Sequence, residues 1–280
     1  MTRRSGGLFA GRGIALPGLV VTLVTVLACF AVGIGAGWLT GQVPGWYRAW
    51  SAEPEPTVSA SPSESPEPEV SLPALEPITR ELDGADAAAG VVTTTVPERG
   101  EGTFTTASTA TRTAAASASP DAAEGPTRYV RIDVEDGVTV DEDAFVDYVM
   151  RILQDERGWG SAGRLQFVMT DGAADVQVVL ATPYTVATRC PDEPEGDDPT
   201  CAEQGIVPLS VYDWTAGLGR YGDNRKGARA YLLNNGVGHV LGEESATCTS
   251  GRASVMVDQT RMPKACNPNG WPFPDAATSG

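Results

Sequence analysis

The alternation of apolar and polar residues marks the strands of one domain in the second half of the chain. Residues 129–134 read Tyr-Val-Arg-Ile-Asp-Val, and this period of two is typical of a strand with one buried face. A turn sequence, Glu-Asp-Gly, follows directly. Short apolar runs predict three further strands at 165–169, 176–180 and 207–211, and Thr-Phe-Thr at 103–105 predicts an earlier one.

Two other stretches have a helical period. The first begins near residue 140 with acidic residues in its first turn, and Asp141 is a candidate N-cap. Its apolar stripe consists of Phe145, Val149, Ile152 and Leu153. We expect Gly158 to end this helix. The second predicted helix, at 225–241, has a stripe made of Leu232, Leu233, Val237, Val240 and Leu241. The predicted order along the chain is strands with one helix, then the second helix, then an irregular tail. This order indicates an α+β fold rather than a doubly wound sheet.

The start of the chain has a different composition. Three arginines lie within residues 1–13, and residues 14–39 contain no charge. As a helix these 26 residues would extend about 39 Å, enough to cross a hydrocarbon core of about 30 Å. The arginines place the N-terminus in the cytoplasm and the later residues outside the cell membrane. A cleaved signal peptide is the alternative, but its apolar region usually has about 7–15 residues. We therefore predict an uncleaved, single-pass transmembrane helix.

Residues 40–102 are rich in Pro, Ser and Glu. Such a segment buries too little apolar surface to offset its chain entropy, so we predict a disordered acidic stalk. The extracytoplasmic domain is then expected at 103–274, with 275–280 as a tail. Within it, the Thr-, Ala- and Ser-rich residues 107–124 are either a flexible loop or a site for sugars. The formal net charge of −16 argues against nucleic acid as a partner, because phosphates require basic patches.

The cysteines favour an oxidising compartment. Cys29 lies in the predicted membrane helix, and the other four are Cys190, Cys201, Cys248 and Cys266. Outside the membrane these four form disulfides, for which three pairings are possible. We favour Cys190–Cys201 and Cys248–Cys266, because each pair closes a local loop. A zinc site of four cysteines is the alternative, but the usual C-x₂₋₄-C spacing is absent.

The stretch 232–245 contains the candidate site. Zincin metalloproteases carry His-Glu-x-x-His on a helix, where the histidines bind Zn²⁺ and the Glu is the general base, and metzincins add x-x-Gly-x-x-His. On this pattern the ligand positions fall on Asn235, His239 and Ser245, the base position on Gly236, and the turn glycine on Gly242. His239 is the only histidine, so one molecule cannot form a three-histidine site. A turn with a chance Gly-x-Gly-His is the alternative, since Asn-Gly favours turns.

Other residues extend this resemblance. Ser254-Val255-Met256 supplies a Met at the place of the metzincin Met turn, Cys266 and Asn-Pro-Asn-Gly-Trp follow, and Gly-Trp-Gly lies upstream at 158–160. With these marks residues 103–274 resemble a family of membrane-anchored, zincin-like extracytoplasmic domains of unknown function from actinobacteria. Typical members carry an intact His-Glu-x-Gly-His-x-Leu-Gly-x-x-His. The resemblance implies a zincin-like metallopeptidase domain that binds zinc in intact members. Since the ligand and base positions are replaced here, we expect no zinc, no other cofactor and no peptidase activity.

We therefore predict a catalytically inactive metallopeptidase homologue that acts as a binding module at the cell envelope. Its expected ligand is a peptide or a cell-wall component, held in the former substrate cleft as an added strand. Two alternatives belong to other classes: an active zinc metallopeptidase with an unusual ligand set, and a structural envelope protein. We also expect that replacing Gly236 would favour the helix by about 1 kcal/mol.

Four further features are weaker candidates. Glu243 and Glu244 lie close enough to His239 for a weak metal site, although an exposed helix end is favoured. A serine nucleophile among Ser245, Ser250 and Ser254 is improbable because no G-x-S-x-G elbow occurs. The acidic residues 192–198 form a solvated loop tip or a loose Ca²⁺ site. Trp-Pro-Phe-Pro at 271–274 either lines a groove or packs over the core.

Overall fold

The structure, a computed structural model, describes residue 72 and residues 74–108, 125–191 and 199–276. The predicted membrane helix, most of the predicted stalk, residues 109–124, the acidic residues 192–198 and residues 277–280 lie outside the described residues. In the described part of the chain, no helix is both long and apolar enough to cross a membrane.

The described residues form short helices and strands along the whole domain. The α-helices are α1 (Gly84–Ala87), α2 (Glu142–Leu153), α3 (Pro183–Arg189), α4 (Val211–Ala216) and α5 (Arg225–Val240). The strands are β1 (Phe104–Thr106), β2 (Thr127–Glu135), β3 (Gln166–Met169), β4 (Val176–Ala181), β5 (Ile206–Ser210), β6 (Gly251–Arg252) and β7 (Cys266–Asn267). The five predicted strands and both predicted helices are confirmed, and their observed bounds lie within two residues of the expected ones except at the end of α2.

One mixed sheet organises the domain around β2. On one side β2 pairs in parallel with β4, and β4 pairs in parallel with β5. On its other side β2 pairs in parallel with β3 along residues 127–130 and antiparallel with β1 along residues 133–135. β6 and β7 form a separate two-stranded sheet. The described chain is therefore α+β, as predicted.

The core lies on one face of this sheet. The buried strand residues on that face are Val130, Ile132, Val134, Val178, Leu180, Val207 and Leu209. Phe145 of α2 and Trp214 of α4 are fully buried, with their rings edge-on and the centroids 5.2 Å apart. The predicted N-cap of α2 is confirmed, because the Asp141 carboxylate accepts the N–H of Ala144. The helices α2 and α4 also contact α5, so the core fixes the helix that carries the candidate site.

The prediction that Gly158 ends α2 is wrong. The helix ends at Leu153, and the chain turns at Asp155, whose carboxylate accepts from both the N–H and the guanidinium of Arg157. Gly158 instead closes this turn by donating to the carbonyl of Asp155 at 2.8 Å. A Cβ at Gly158 would lie 2.9 Å from the carbonyl oxygen of Ile152, so the turn leaves no room for a side chain.

Residues 74–102, which the sequence assigned to the stalk, pack against the domain. Asp83 caps α1 through its carboxylate, and Ala89 and Val91 join the core with at most 5% of their surface exposed. The carbonyl of Ala89 accepts the indole N–H of Trp214 at 3.0 Å. The predicted domain boundary at residue 103 is therefore corrected: in the described residues the packed region begins earlier. Composition misled the prediction, because the few apolar residues of this segment are enough to dock it on an existing core.

Asp86 fixes this segment to α5. Its carboxylate is fully buried and accepts from Arg229 of α5 at 2.6 Å and from Arg80 at 2.5 and 2.9 Å. Burial by itself would raise the pKa of Asp86, but the hydrogen bonds from Arg80 and Arg229 outweigh it and hold that pKa well below its ordinary value. Arg80 and Arg229 therefore compensate the buried negative charge of Asp86.

Both favoured disulfides are confirmed. Cys190 is bonded to Cys201, and Cys248 is bonded to Cys266. The first joins the end of α3 to the segment before β5, and the second ties the segment after α5 to β7. The alternative zinc site of four cysteines is therefore wrong.

Candidate functional site

The motif stretch forms a helix rather than a turn. Asn224 caps the start of α5 through its side chain. At the other end Gly242 has φ +86°, and the N–H groups of Gly242 and Glu243 donate back to His239 and Gly238 at 3.0 and 2.9 Å. This pair of hydrogen bonds is a Schellman motif, which requires a residue that tolerates positive φ. Gly242 therefore turns the chain, as the motif predicts.

Close packing explains the two glycines inside α5. A Cβ at Gly236 would lie 2.5 Å from Cγ1 of Val207 on β5. A Cβ at Gly238 would lie 2.4 Å from the sulfur of Met256 and 2.7 Å from the ring of Trp159. Both distances are too short for real atoms, so neighbouring side chains occupy the space a larger residue would need. The gain of about 1 kcal/mol in helix propensity that we expected from replacing Gly236 is therefore opposed by a clash with Val207.

The stripe on α5 is only partly as predicted. Leu233 and Val237 are fully buried, whereas Leu232, Val240 and Leu241 are half-buried. The polar Asn234 is also fully buried, because its side chain donates to the carbonyl of Gly270 and its own carbonyl accepts from Trp159. The side chain of Asn234 is therefore buried through hydrogen bonding, which the spacing of apolar residues alone does not predict.

A tight turn at residues 254–257, here called the Met turn, lies beneath α5. The side-chain amide of Asn235 donates to the carbonyl of residue 255 at 2.9 Å. The backbone N–H of Ala246 donates to the carbonyl of residue 256 at 2.9 Å, and the hydroxyl of Tyr231 donates to the carbonyl of residue 257 at 3.0 Å. Burial raises the pKa of Tyr231 above its ordinary value, which keeps this hydroxyl protonated as a donor. The Met turn thus joins the helix to the chain that returns after Gly242.

The three positions that the motif assigns to metal ligands lie around this turn and have different surroundings. The Asn235 side chain is engaged with the Met turn. His239 is half-buried one residue after Gly238, and Ser245 is exposed one residue before Ala246. No hydrogen bond joins these three side chains in the described part of the chain. Among the same residues, no group of three or more His, Cys, Asp or Glu side chains is arranged to hold a metal ion.

The weaker candidates near the site have ordinary surroundings. Glu243 and Glu244 are exposed after the end of α5, as the favoured alternative predicted. The Ser254 hydroxyl accepts the N–H of Met256 at 3.2 Å and so shapes the Met turn. Ser250 is exposed. The possible Ca²⁺ site at 192–198 falls outside the described residues.

Pro272, Phe273 and Pro274 of the Trp-Pro-Phe-Pro segment line a groove of about 800 Å³, and Trp271 packs against the core. The opposite wall is the turn at residues 161–164, where Ala162 has φ +53°, a conformation that side chains rarely adopt. The guanidinium of Arg164 lies 4.1 Å over the ring of Phe273. Trp159 meets Phe273 edge-on, with the centroids 6.1 Å apart, and also contacts Gly238. Trp159 therefore lies between α5 and Phe273, which is one of the residues that line the groove.

Two features of the site were not predicted. The contact between Gly236 and Val207 had a signal in the sequence, because glycines inside an apolar helical pattern indicate close approach of another element. The burial of Asp86 against Arg229 had none, since the surrounding segment has the composition of a linker.

Comparison with known proteins gives a family without an assigned activity. The model of a family described as "Protein of unknown function (DUF3152)" matches residues 93–274. The match includes β1 to β7, the whole of α5 and the Met turn, and it begins after Asp86. No curated protein matches the chain, and no solved structure does.

Proposed function

We propose that this chain, which belongs to the DUF3152 family, is a membrane-anchored binding module on a zincin-like scaffold that has lost its catalytic zinc site. The contact between Gly236 and Val207 carries this proposal. At the position where a zincin has its general base, a Cβ alone would lie 2.5 Å from a methyl group of the sheet.

The other catalytic positions support the same conclusion. Zinc catalysis needs three protein ligands, an open coordination position and a base beside the bound water. Here the amide of Asn235 bonds to the Met turn, Ser245 is exposed, and His239 is the only histidine of the chain. One imidazole without further nitrogen or thiolate ligands binds Zn²⁺ weakly.

The free edge of β3 is the place where we propose that an extended peptide binds as an added strand. The N–H of Gln166 donates to the carbonyl of Pro126, just before β2, at 3.1 Å, and that of Thr170 donates to the carbonyl of Val130 in β2 at 2.8 Å. The backbone N–H and C=O groups of Phe167 and Met169 therefore point away from β2. In the described residues, β3 pairs with β2 alone. Its sequence, Gln-Phe-Val-Met, has no charge and no proline to protect that edge.

The opposite edge of the sheet is less suited to a peptide. Gln177 donates to the carbonyl of Gly205 at 2.7 Å, so the backbones of Ile206 and Pro208 point outward from β5. The N–H of Ile206 already donates to Cys201 at 2.7 Å, and Pro208 has no N–H to offer. An added strand is therefore favoured at β3, whose start adjoins the groove at Arg164 and Phe273.

Selection of peptides tests this binding site. A phage-displayed library of unstructured peptides is selected on the full-length chain, and the affinity of each selected peptide is measured by fluorescence polarisation. Met169→Pro removes an outward N–H without touching the bonds to β2, and Val168→Lys places a charge at the edge. We expect each variant to weaken binding about tenfold or more, the equivalent of about 1.4 kcal/mol.

Val92→Lys is the matched control, because Val92 is another exposed valine, 49% accessible against 37% for Val168. It should leave the affinity unchanged. Peptides that bind all variants equally, or a library that gives no binder, would remove the support for peptide binding at β3.

The proposed location is the outer side of the cell membrane, with residues 14–39 as the anchor. The two disulfides support an oxidising compartment. A protease added to intact cells should remove a C-terminal tag. A protected tag, or a mature chain that starts after Cys29, would contradict this topology.

A further inference from the structure

A second cavity lies on the face of the sheet opposite the core. It has a volume of about 330 Å³, and its floor is formed by Gln177 and Val179 of β4 with Ile206 and Pro208 of β5. These residues alternate with core residues along the same strands, so they face the other way. The Cys190–Cys201 disulfide and α3 enclose the side of the cavity. None of its lining residues belongs to α5, the Met turn or β3.

The floor of this cavity is more apolar than a solvated face requires. β5 has Ile206 and Pro208 on this face and the buried Val207 and Leu209 on the other. Strands with apolar residues on both faces are typically covered on both. In the described residues Val179, Ile206 and Pro208 are only half-buried, so apolar surface is available to a ligand.

Among the described residues that line the cavity, Arg189 is the only one with a charged side chain. Its guanidinium donates to the carbonyl of Gly102 and lies 4.9 Å from the ring centroid of Phe104. Arg189 forms no ion pair within the described residues. A guanidinium has five N–H donors, so several are available to a carboxylate.

Two carboxylates of β2, both among the described residues, have other partners. Glu135 is buried and accepts from Thr182 and Thr185 at 2.7 and 2.5 Å. Asp133 accepts from Arg131 at 3.1 Å and from Gln177 at 2.5 Å. Although the chain has a net charge of −16, the described lining of this cavity therefore presents one positive group beside an apolar floor.

We propose that the cavity binds a small apolar carboxylate, with its carboxyl group on Arg189 and its apolar body against Val179, Ile206 and Pro208. Ligand pockets usually have volumes of about 300–1,000 Å³, so a cavity of about 330 Å³ accommodates a body near the size of one aromatic amino acid. A free acid and the C-terminal residue of a peptide share this chemistry. The inference is independent of the peptide edge at β3 and of the lost zinc site.

Calorimetric titration of the full-length chain in lipid nanodiscs tests this site. The probes are N-acetylphenylalanine, its carboxamide, and a tetrapeptide that ends in phenylalanine with a free carboxyl group. We expect the acid to bind with a Kd of about 1 mM or tighter, which suits a ligand of this size. The carboxamide should bind at least about tenfold more weakly, because it lacks the charge that Arg189 recognises.

Two variants locate the binding. Arg189→Gln should reduce the affinity for the acid to that for the carboxamide, and Val179→Phe should abolish binding by filling the cavity. Arg261→Gln is the matched control, because Arg261 is an exposed arginine outside the cavity, and it should change nothing. A tetrapeptide that binds more tightly than the free acid assigns the site to peptide C-termini, and equal affinity assigns it to free acids. Absence of binding, equal binding of acid and carboxamide, or insensitivity to Arg189→Gln would overturn the proposal.

Discussion

The packing around Gly236 determines whether this position can carry a side chain. Gly236 is where a zincin would carry its general base, and Val207 of β5 fills the volume into which a side chain would extend. Val207 is fully buried, and its β-branched side chain has little rotamer freedom with which to move aside. Helix propensity alone would favour any other residue at this position. Close packing against Val207 of the sheet outweighs this preference and favours glycine.

This contact predicts the sign of a stability change. Gly236→Ala should lower the free energy of unfolding by about 1–3 kcal/mol, as overpacking of a core does, although alanine is the better helix former. In a Val207→Ala background the same substitution should cost at least about 1 kcal/mol less, because the clashing methyl is gone. Urea unfolding of the four proteins measures this coupling. A stabilising Gly236→Ala in both backgrounds would show that the contact does not exist.

At the scale of elements, α5 shows what the sequence could predict. The spacing of Leu233 and Val237 was enough to predict the helix, and Gly242 was enough to predict its end, since both depend on local periodicity and turn chemistry. The burial of Asn234 and the closeness of Gly238 to Met256 depend on residues far along the chain. No local pattern reports such partners, so the helix was predictable and its packing was not.

The same element offers a test of the inherited scaffold. Asn235→His, Gly236→Glu and Ser245→His together restore the motif, but the new glutamate would clash with Val207. We therefore expect the triple variant to bind zinc poorly and a quadruple variant with Val207→Ala to bind it more tightly. Zinc affinity by competition with a chromophoric chelator measures the difference. If neither variant binds zinc better than the parent chain, the three ligand positions do not converge.

The link between α1 and α5 predicts a pH dependence. Folding lowers the pKa of Asp86, so the folded chain keeps this carboxylate ionised to a lower pH than the unfolded chain does. The stabilisation is fully present above the unfolded pKa of about 3.9 and is lost as the pH falls below it. Asp86→Asn should cost about 3–5 kcal/mol at pH 7, because it leaves buried Arg229 without its counter-charge.

Unfolding by urea at pH 7 and at pH 3 provides the measurement. The difference between Asp86→Asn and the parent chain should shrink at the lower pH. Asp136→Asn is the control, since Asp136 is a half-buried carboxylate that accepts from two threonine hydroxyls and has no buried arginine partner among the described residues, and it should show a much smaller loss. An equal loss at both pH values would mean that the charge of Asp86 does not stabilise the fold.

At the scale of the whole molecule, composition predicted the class of the chain better than its boundaries. The run of alternating strands was sufficient for an α+β domain, and the number and spacing of cysteines was sufficient for the two disulfides. The start of the domain was misplaced because Ala89 and Val91 are isolated apolar residues in a segment with the composition of a linker. Their burial depends on a core that other parts of the chain provide.

Truncation tests this boundary. A chain that starts at residue 74 should unfold cooperatively, because it retains Asp86 and the acceptor for Trp214. Chains that start at residue 93 or 103 lack Asp86 and Ala89, which leaves Arg229 and the Trp214 indole N–H without partners. We expect these two chains to lose several kcal/mol or to fail to fold. Thermal unfolding followed by circular dichroism compares the three, and equal transitions would show that the segment before residue 93 is dispensable.

Metal analysis tests the central claim, that packing has replaced the zinc site, most directly. The parent chain is purified without chelators, equilibrated with zinc, passed through gel filtration and analysed for metal per chain. We predict no stoichiometric zinc and no peptide cleavage that a chelator abolishes, because Gly236 packs against Val207 and the amide of Asn235 is hydrogen-bonded to the Met turn. One zinc ion per chain that survives gel filtration, together with chelator-sensitive cleavage of peptides, would contradict it.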